Sequence, residues 1–240
     1  MPVTPYKDSA EGKKKQVATM FDNISHKYDF LNHFLSLGID KRWRKKAISI
    51  LAKEKPANIL DAATGTGDFA IAALKTGAEQ VVGVDISEGM LSIGRKKLIE
   101  RGLQDKIRLE KGDSESLVYD NESFSAVTVA FGVRNFENLE KGLSELHRVL
   151  RKDGTLVILE FSQPTNIIIK CFYNLYFRFI LPFMGKIISK DSSAYTYLPE
   201  SVEKFPYGQD FLNILQETGF KGLKCIKLTF GVSSIYIGKK

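Results

Sequence analysis

The sequence predicts an α/β fold: a mainly parallel sheet covered by helices, closed by an antiparallel C-terminal hairpin and preceded by a helical cap. Three observations carry this. Short apolar runs alternate with helical-period segments between Asn58 and Phe161, the pattern of a parallel sheet buried on both faces. The first run breaks into a small-residue turn, Asn58–Gly67 (NILDAATGTG), where a strand gives way to a helix N-terminus. The first 51 residues carry helical periodicity alone.

Residues 1–15 read as a Lys-rich lead-in. Val17, Met20, Phe21 and Ile24 mark one helix, and Tyr28, Leu31, Leu35 and Ile39 continue the period to a break at Gly38. Asp40 is expected to cap a third helix with an apolar stripe of Trp43, Ala47, Ile48 and Leu51, ended by Pro56. Residues 1–55 would form the cap and residues 56–240 the sheet domain.

Strands are expected at Asn58–Asp61, Gln80–Asp85, Ile107–Glu110, Ala126–Ala130 and Gly154–Phe161. Helices are expected at Asp68–Lys75, Ser87–Glu100, Asn138–Leu150 and Gly208–Glu217. The β-rich runs Gly222–Phe230 and Val232–Ile237 would form the hairpin and bring the sheet to seven strands. An apolar insertion at about 165–205 stands apart, its run 165–190 broken by Lys170, Arg178, Pro182 and Lys186. No uncharged run reaches the roughly 20 residues of a bilayer span, so it reads as a buried lid, a dimer contact or an interfacial segment with basic edges.

Composition narrows the class. The 240 residues are 43% hydrophobic and 26% charged, as in a soluble globular chain. Cys171 and Cys225 lack ligand spacing, and His26, His33 and His147 are scattered, so no metal site and a reducing cytoplasm are expected. No apolar core follows the charged N-terminus, so no secretory signal is read. Residues 1–60 hold 12 Lys and Arg against 6 Asp and Glu, residues 61–160 hold 13 against 17, and residues 161–240 hold 10 against 5. Basic flanks around an acidic centre suit an anionic membrane surface or nucleic acid. The crevice lacks the aromatic–basic interleaving of a nucleic-acid site, so none is expected as a partner.

Gly65-Thr66-Gly67-Asp68-Phe69-Ala70 satisfies G-x-G-x-x-A, and Asp85 ends the next strand, which alone would suit a dinucleotide. Three carboxylates argue for a phosphate-free, cationic nucleoside such as S-adenosylmethionine. Asp61 at the mouth of the first strand would repel pyrophosphate and attract a cationic amino-acid moiety. Asp85 suits ribose hydroxyls and Asp113 suits an adenine amine, and all three lie where open α/β sheets bind ligands.

DAATGTGD resembles the glycine motif of class I S-adenosylmethionine-dependent methyltransferases, in the form of the UbiE/COQ5 quinone-biosynthesis group. Lys27–Asn32, Leu35–Arg44, Phe131–Asn135, Arg148–Pro164 and Tyr195–Pro206 resemble further signatures of that family, over roughly residues 17 to 238. The resemblance implies a Rossmann-like domain with Gly65, Thr66, Asp85, Asp113 and Ser114 at the cofactor. It also implies C-methylation of a polyprenyl quinol, with demethylmenaquinol as the acceptor and the benzoquinol of ubiquinone synthesis as the alternative. For that reaction Arg134 is the candidate for stabilising a developing phenolate, Asn135 for orienting a ring oxygen, and Tyr28 for touching the substrate or relaying its proton. Glu137 is the local carboxylate that would compete for Arg134. Ala63 stands where the wider superfamily often has Gly, and Ala130 where some relatives have a cofactor-contacting Ser. A membrane-resident acceptor gives the 165–190 run a purpose at the cytoplasmic face, and a homodimer stays open.

Overall fold

The computed structural model describes residues 3–36, 38–176 and 193–240. Strand order is β3-β2-β1-β4-β5-β7-β6. Strands β1 (Asn58–Ala62), β2 (Gln80–Asp85), β3 (Ile107–Lys111), β4 (Phe124–Ala130) and β5 (Leu150–Phe161) run parallel. Strands β6 (Lys221–Leu228) and β7 (Ser233–Lys239) close one edge antiparallel, with Ile158 paired to Tyr236. The order reverses between β1 and β4, and the cleft outside the carboxyl ends at such a point is where open sheets take ligands.

Side chains alternate between faces with the period of two that strands impose. Leu60, Ala62 and Val82 pack with Leu143 and Leu146 of α5 (Leu139–Val149) and Phe211 of α8 (Gln209–Glu217). Ile59 and Val81 pack on the other face with α2 (Ile39–Leu51), α3 (Asp68–Ala73) and Leu91 of α4 (Glu88–Glu100). These residues are almost wholly removed from water. Such burial supplies the main drive for folding, about 25 cal/mol per Å² of apolar surface.

Caps fix the helices that face the site. Ser87 accepts from the Met90 amide at 3.2 Å and Asn138 from the Lys141 amide at 2.9 Å, so each stands just before its helix. The N-terminal region differs from its expected layout. Lys13–Leu35 is one helix, α1, because Ile24 and Tyr28 stand one turn apart and carry the apolar stripe past Ser25, His26 and Lys27. Helix α2 begins at Ile39 after Gly38 at φ 72°, so Asp40 is inside the first turn rather than capping it. Its carboxylate is buried and pairs with Arg44 one turn later at 2.8 Å.

Strand β5 also starts earlier than expected, at Leu150. Leu150 pairs with Phe124 before a bulge at Asp153 (φ 60°), after which Thr155 pairs with Ala126. Beyond β5, α6 (Ile167–Leu175) and α7 (Ser193–Lys204) are described. The rest of the expected insertion, residues 177–192, lies outside the described residues. Among the described residues no helix is long and apolar enough to cross a membrane.

Candidate active site

The turn after β1 is built by its backbone. Ala63 has φ 51°, Gly65 φ 57° and Gly67 φ 79°, so three of five residues occupy left-handed conformations. Ala63 holds this without a glycine's freedom, a strain of about 1–2 kcal/mol. Gly132 explains how. A Cβ there would lie 2.5 Å from the Ala63 Cβ, so the methyl of one turn fills the space left by the other. The loops after β1 and β4 are locked together by that exchange.

Asp85 receives the turn. Its carboxylate accepts from the Gly65 amide at 2.8 Å and the Ser87 amide at 2.9 Å. Burial pushes it up to about 6 from 3.8, against the pull of those amides. Asp61 is wholly buried and accepts from Thr64 Oγ1 at 2.6 Å and Thr128 Oγ1 at 2.7 Å. Burial raises it to about 6 as well, with the two hydroxyls and Arg44 pulling down. Asp61 thus lies within the sheet rather than out at its mouth.

These groups border two connected spaces. A cleft enclosing about 590 Å³ is bordered by Gly65, Asp85, Asp113, Ser114, Asn135 and Tyr28. A smaller one of about 340 Å³ contains Asp61, Thr64, Thr66 and Arg44, and shares Tyr28, Ala63, Gly65 and Ala130 with the first. A polar end at Asp113 and Ser114, a carboxylate at Asp85 and a second carboxylate in a side chamber fit a nucleoside with a cationic amino-acid tail. The Gly65 amide, a donor a phosphate would need, is already given to Asp85.

Several groups were not legible beforehand. Thr66 donates to Asp29 Oδ1 at 2.6 Å and accepts from Lys97 Nζ at 2.9 Å, and Lys97 also pairs with Asp29 and Asp68. Thr66 therefore ties α1 to the turn and borders the side chamber, not the larger cleft. Asp113 accepts from Lys14 Nζ at 2.7 Å, so α1 crosses that end of the cleft. Asp22 on the same helix accepts from Ser87 Oγ and the Gly89 amide, holding α1 on the start of α4.

A third space adjoins the first two. About 750 Å³ in extent, it shares Phe21, Tyr28 and Phe131 with the polar cleft and continues past Trp43, Phe161 and Tyr197. Phe131 and Phe161 lie 4.5 Å apart by centroid, with Trp43 at 6.1 and 6.3 Å from them. Arg134 borders this apolar space, 7% exposed. Its partner is Glu160 at 2.9 Å, not Glu137; the latter faces the Lys14 amide instead. Arg134 also donates to the Phe131 carbonyl and stacks on Phe161 at 5.4 Å. Burial raises the Glu160 carboxyl, partly offset by Arg134.

Asn135 Oδ1 accepts from the Tyr197 hydroxyl at 3.1 Å, placing its amide between the two clefts. Tyr28 borders all three spaces. His26 is exposed and His147 packs edge-on against Phe220, so neither reaches the site. Among the described residues no group of three or more His, Cys, Asp or Glu could hold a metal ion.

Comparison with known proteins follows the same lines. The profile of the ubiE/COQ5 methyltransferase family matches residues 9–240. A demethylmenaquinone methyltransferase of Bacteroides fragilis is 48% identical over 240 residues, covering 99% of this chain and 97% of that one. The ubiquinone/menaquinone biosynthesis C-methyltransferase UbiE of Geotalea uraniireducens is 42% identical over 230 residues, covering 95% and 97%. Among solved structures, an S-adenosylmethionine-dependent methyltransferase of Thermotoga maritima superposes with a TM-score of 0.64 at 18% identity, over 92% of this chain and 99% of that one. That likeness speaks for the fold alone.

Proposed function

The chain belongs to the ubiE/COQ5 methyltransferase family and is an S-adenosylmethionine-dependent methyltransferase, and from that premise we propose that it methylates a ring carbon of a demethylmenaquinol. The observation that carries the acceptor is the junction of the two clefts. A carboxylate-lined space for a cationic nucleoside adjoins, across Tyr28 and Phe131, an aromatic space that suits a flat apolar ring. The bacterial relative at 48% identity bears the name of that reaction.

Bound S-adenosylmethionine supplies a methyl group already activated by the sulfonium. The chain's residues hold, orient and shield. Asp85 and Ser114 would take the nucleoside and Asp61 the α-ammonium, with Gly65 letting the backbone come close. Gly65, Thr66, Asp113 and Ser114 keep their assignment to the cofactor, Thr66 acting through the turn it anchors. In the aromatic space the ring carbon is made more nucleophilic as its neighbouring hydroxyl loses a proton. Arg134 can donate to that oxygen, and because Glu160 neutralises its charge it acts as a directed donor in a dry site. Asn135 and Tyr28 stand at the junction, able to orient the ring oxygen and pass on its proton. The new carbon–carbon bond forms as the carbon–sulfur bond breaks, leaving S-adenosylhomocysteine and a ring ketone. The ring proton then passes to water and the oxygen regains one, restoring the aromatic quinol.

Ile167, Ile168 and Leu175 of α6 are 82, 66 and 53% exposed, and Lys170 beside them is exposed too. That pattern supports peripheral contact of a cytoplasmic enzyme with an anionic membrane holding the prenyl tail. A relative bearing both quinone names keeps the benzoquinol as the second reading. Comparing kcat/KM for short-chain naphthoquinol and benzoquinol acceptors decides between them; a clear benzoquinol preference would overturn the assignment.

A further inference from the structure

The aromatic space contains two donors that the remainder of the fold leaves unused. Arg44 and Arg134 both border it. Their side chains are 13 and 7% exposed, and in each the Nε–H is buried with no hydrogen-bond partner among the described residues. In each, Nη1 is committed. Arg134 Nη1 serves Glu160 and the Phe131 carbonyl, and Arg44 Nη1 serves Asp40 at 2.8 Å and Asp68 at 3.5 Å.

Native proteins rarely bury a charged donor without an acceptor, and each exception asks for a reason. Two exceptions on one cavity point to an occupant that brings two acceptors. The wall between them is aromatic. The one indole N–H there, on Trp43, is given to Thr229 Oγ1 at 2.8 Å, so the wall offers ring faces. A guanidinium cannot accept or lose a proton, so each Nε–H calls for an oxygen. The complement is a flat ring with two oxygens.

We propose that Arg44 is a second substrate-binding residue, its Nε–H engaging one oxygen of a para-dioxygenated ring while that of Arg134 engages the other. This rests on the quinol reading above and deepens it: the enzyme selects a diol over a ring with a single hydroxyl. Paired with Asp40 and Glu160, neither guanidinium brings net charge, so a neutral quinol can enter. Arg44 also borders the side chamber with Asp61, which gives it a competing use, the α-carboxylate of the methyl donor.

The test uses the full chain and two probes, a short-chain 2-prenyl-1,4-naphthoquinol kept reduced and the matching 3-prenyl-1-naphthol, which keeps the hydroxyl beside the free ring carbon and lacks the oxygen assigned to Arg44. Affinities come from KM and competitive inhibition, and S-adenosylhomocysteine binding is measured by calorimetry. The wild type should bind the diol about 10–100-fold more tightly, the worth of one hydrogen bond to a charged group. Arg44→Lys keeps a cation for Asp40 and should erase most of that advantage while S-adenosylhomocysteine affinity stays within about twofold. A merely structural role would weaken both probes alike. An undiminished diol advantage in Arg44→Lys overturns the proposal, whether or not nucleoside affinity drops. If that variant does not fold, equal binding of the two probes by the wild type overturns it on its own. If the wild type binds neither, the quinol reading falls first and the clamp with it.

Discussion

Replacing Asp61 with Asn should make the ligand-free protein more stable and a poorer binder. The carboxyl is fully buried, and burial lifts it from 3.8 to about 6. A shift of about two units corresponds to roughly 3 kcal/mol at 1.36 kcal/mol per unit. The sign follows from proton linkage. Between 3.8 and about 6 the folded protein binds the proton that the unfolded chain has released, so stability falls as pH rises through that window. Above it the whole penalty is present. Asn carries no charge to desolvate, but it keeps one accepting oxygen for the two hydroxyls of Thr64 and Thr128 while its NH2 can only donate, and turning one hydroxyl returns about 1–2 kcal/mol. A net gain of about 1–2 kcal/mol corresponds to roughly 2–8 °C in Tm for a chain of this size. Binding should move the other way. An ammonium about 5 Å from the carboxylate at an effective dielectric near 20 gains about 3 kcal/mol, so a loss of roughly 100-fold is expected. Thermal melts at pH 7.5 and at pH 4, with calorimetry of S-adenosylhomocysteine and of methylthioadenosine, separate the effects. The Tm gain should shrink at pH 4, and methylthioadenosine, which lacks the amino-acid tail, should bind as before. A destabilised variant with unchanged S-adenosylhomocysteine affinity would refute the reasoning.

Other expectations follow from single contacts. Glu160→Gln leaves Arg134 without its counter-charge, and breaking one side of a buried pair costs about 3–5 kcal/mol; kcat should drop at least about tenfold with Tm, whereas an unchanged kcat would remove Glu160 from the account. Gly132→Ala drives a methyl into Ala63 at 2.5 Å, so nucleoside affinity and Tm should both fall, by about 1–3 kcal/mol of overpacking. Adding Ala63→Gly should restore both; no rescue would mean that the two loops are not locked by that contact. Replacing Ile167 and Ile168 with Ser should weaken sedimentation with anionic liposomes at low salt while leaving turnover of a soluble short-chain quinol intact.

Much of the sheet was readable because its signals are local. The run from Gln80 to Asp85 is β-branched and bounded by polar residues, and β2 spans those same residues. Ser87 and Asn138 announced their helices because capping chemistry is a short-range fact. The first helix reads as two groups of apolar residues, yet Ile24 and Tyr28 stand one turn apart, so nothing between them ends it. Arg134 was visible, yet its partner was not, since Glu137 is near in sequence and Glu160 near in space. One signal did exist: Glu160 is the lone charge in the apolar run Thr155–Phe161, and a buried carboxylate needs a cation. Arg44 and Asp40 stand one helical turn apart and carried a similar hint. The Asp29–Thr66–Lys97 network had none, because three elements must meet before it exists.

Methyl transfer from S-adenosylmethionine labelled in its methyl group to a reduced short-chain demethylmenaquinol, with the product mapped by NMR, tests the central claim most directly. The structure predicts the label on the free ring carbon beside a hydroxyl, with one S-adenosylhomocysteine formed per product. Label on an oxygen, or no turnover of either a naphthoquinol or a benzoquinol, would contradict it.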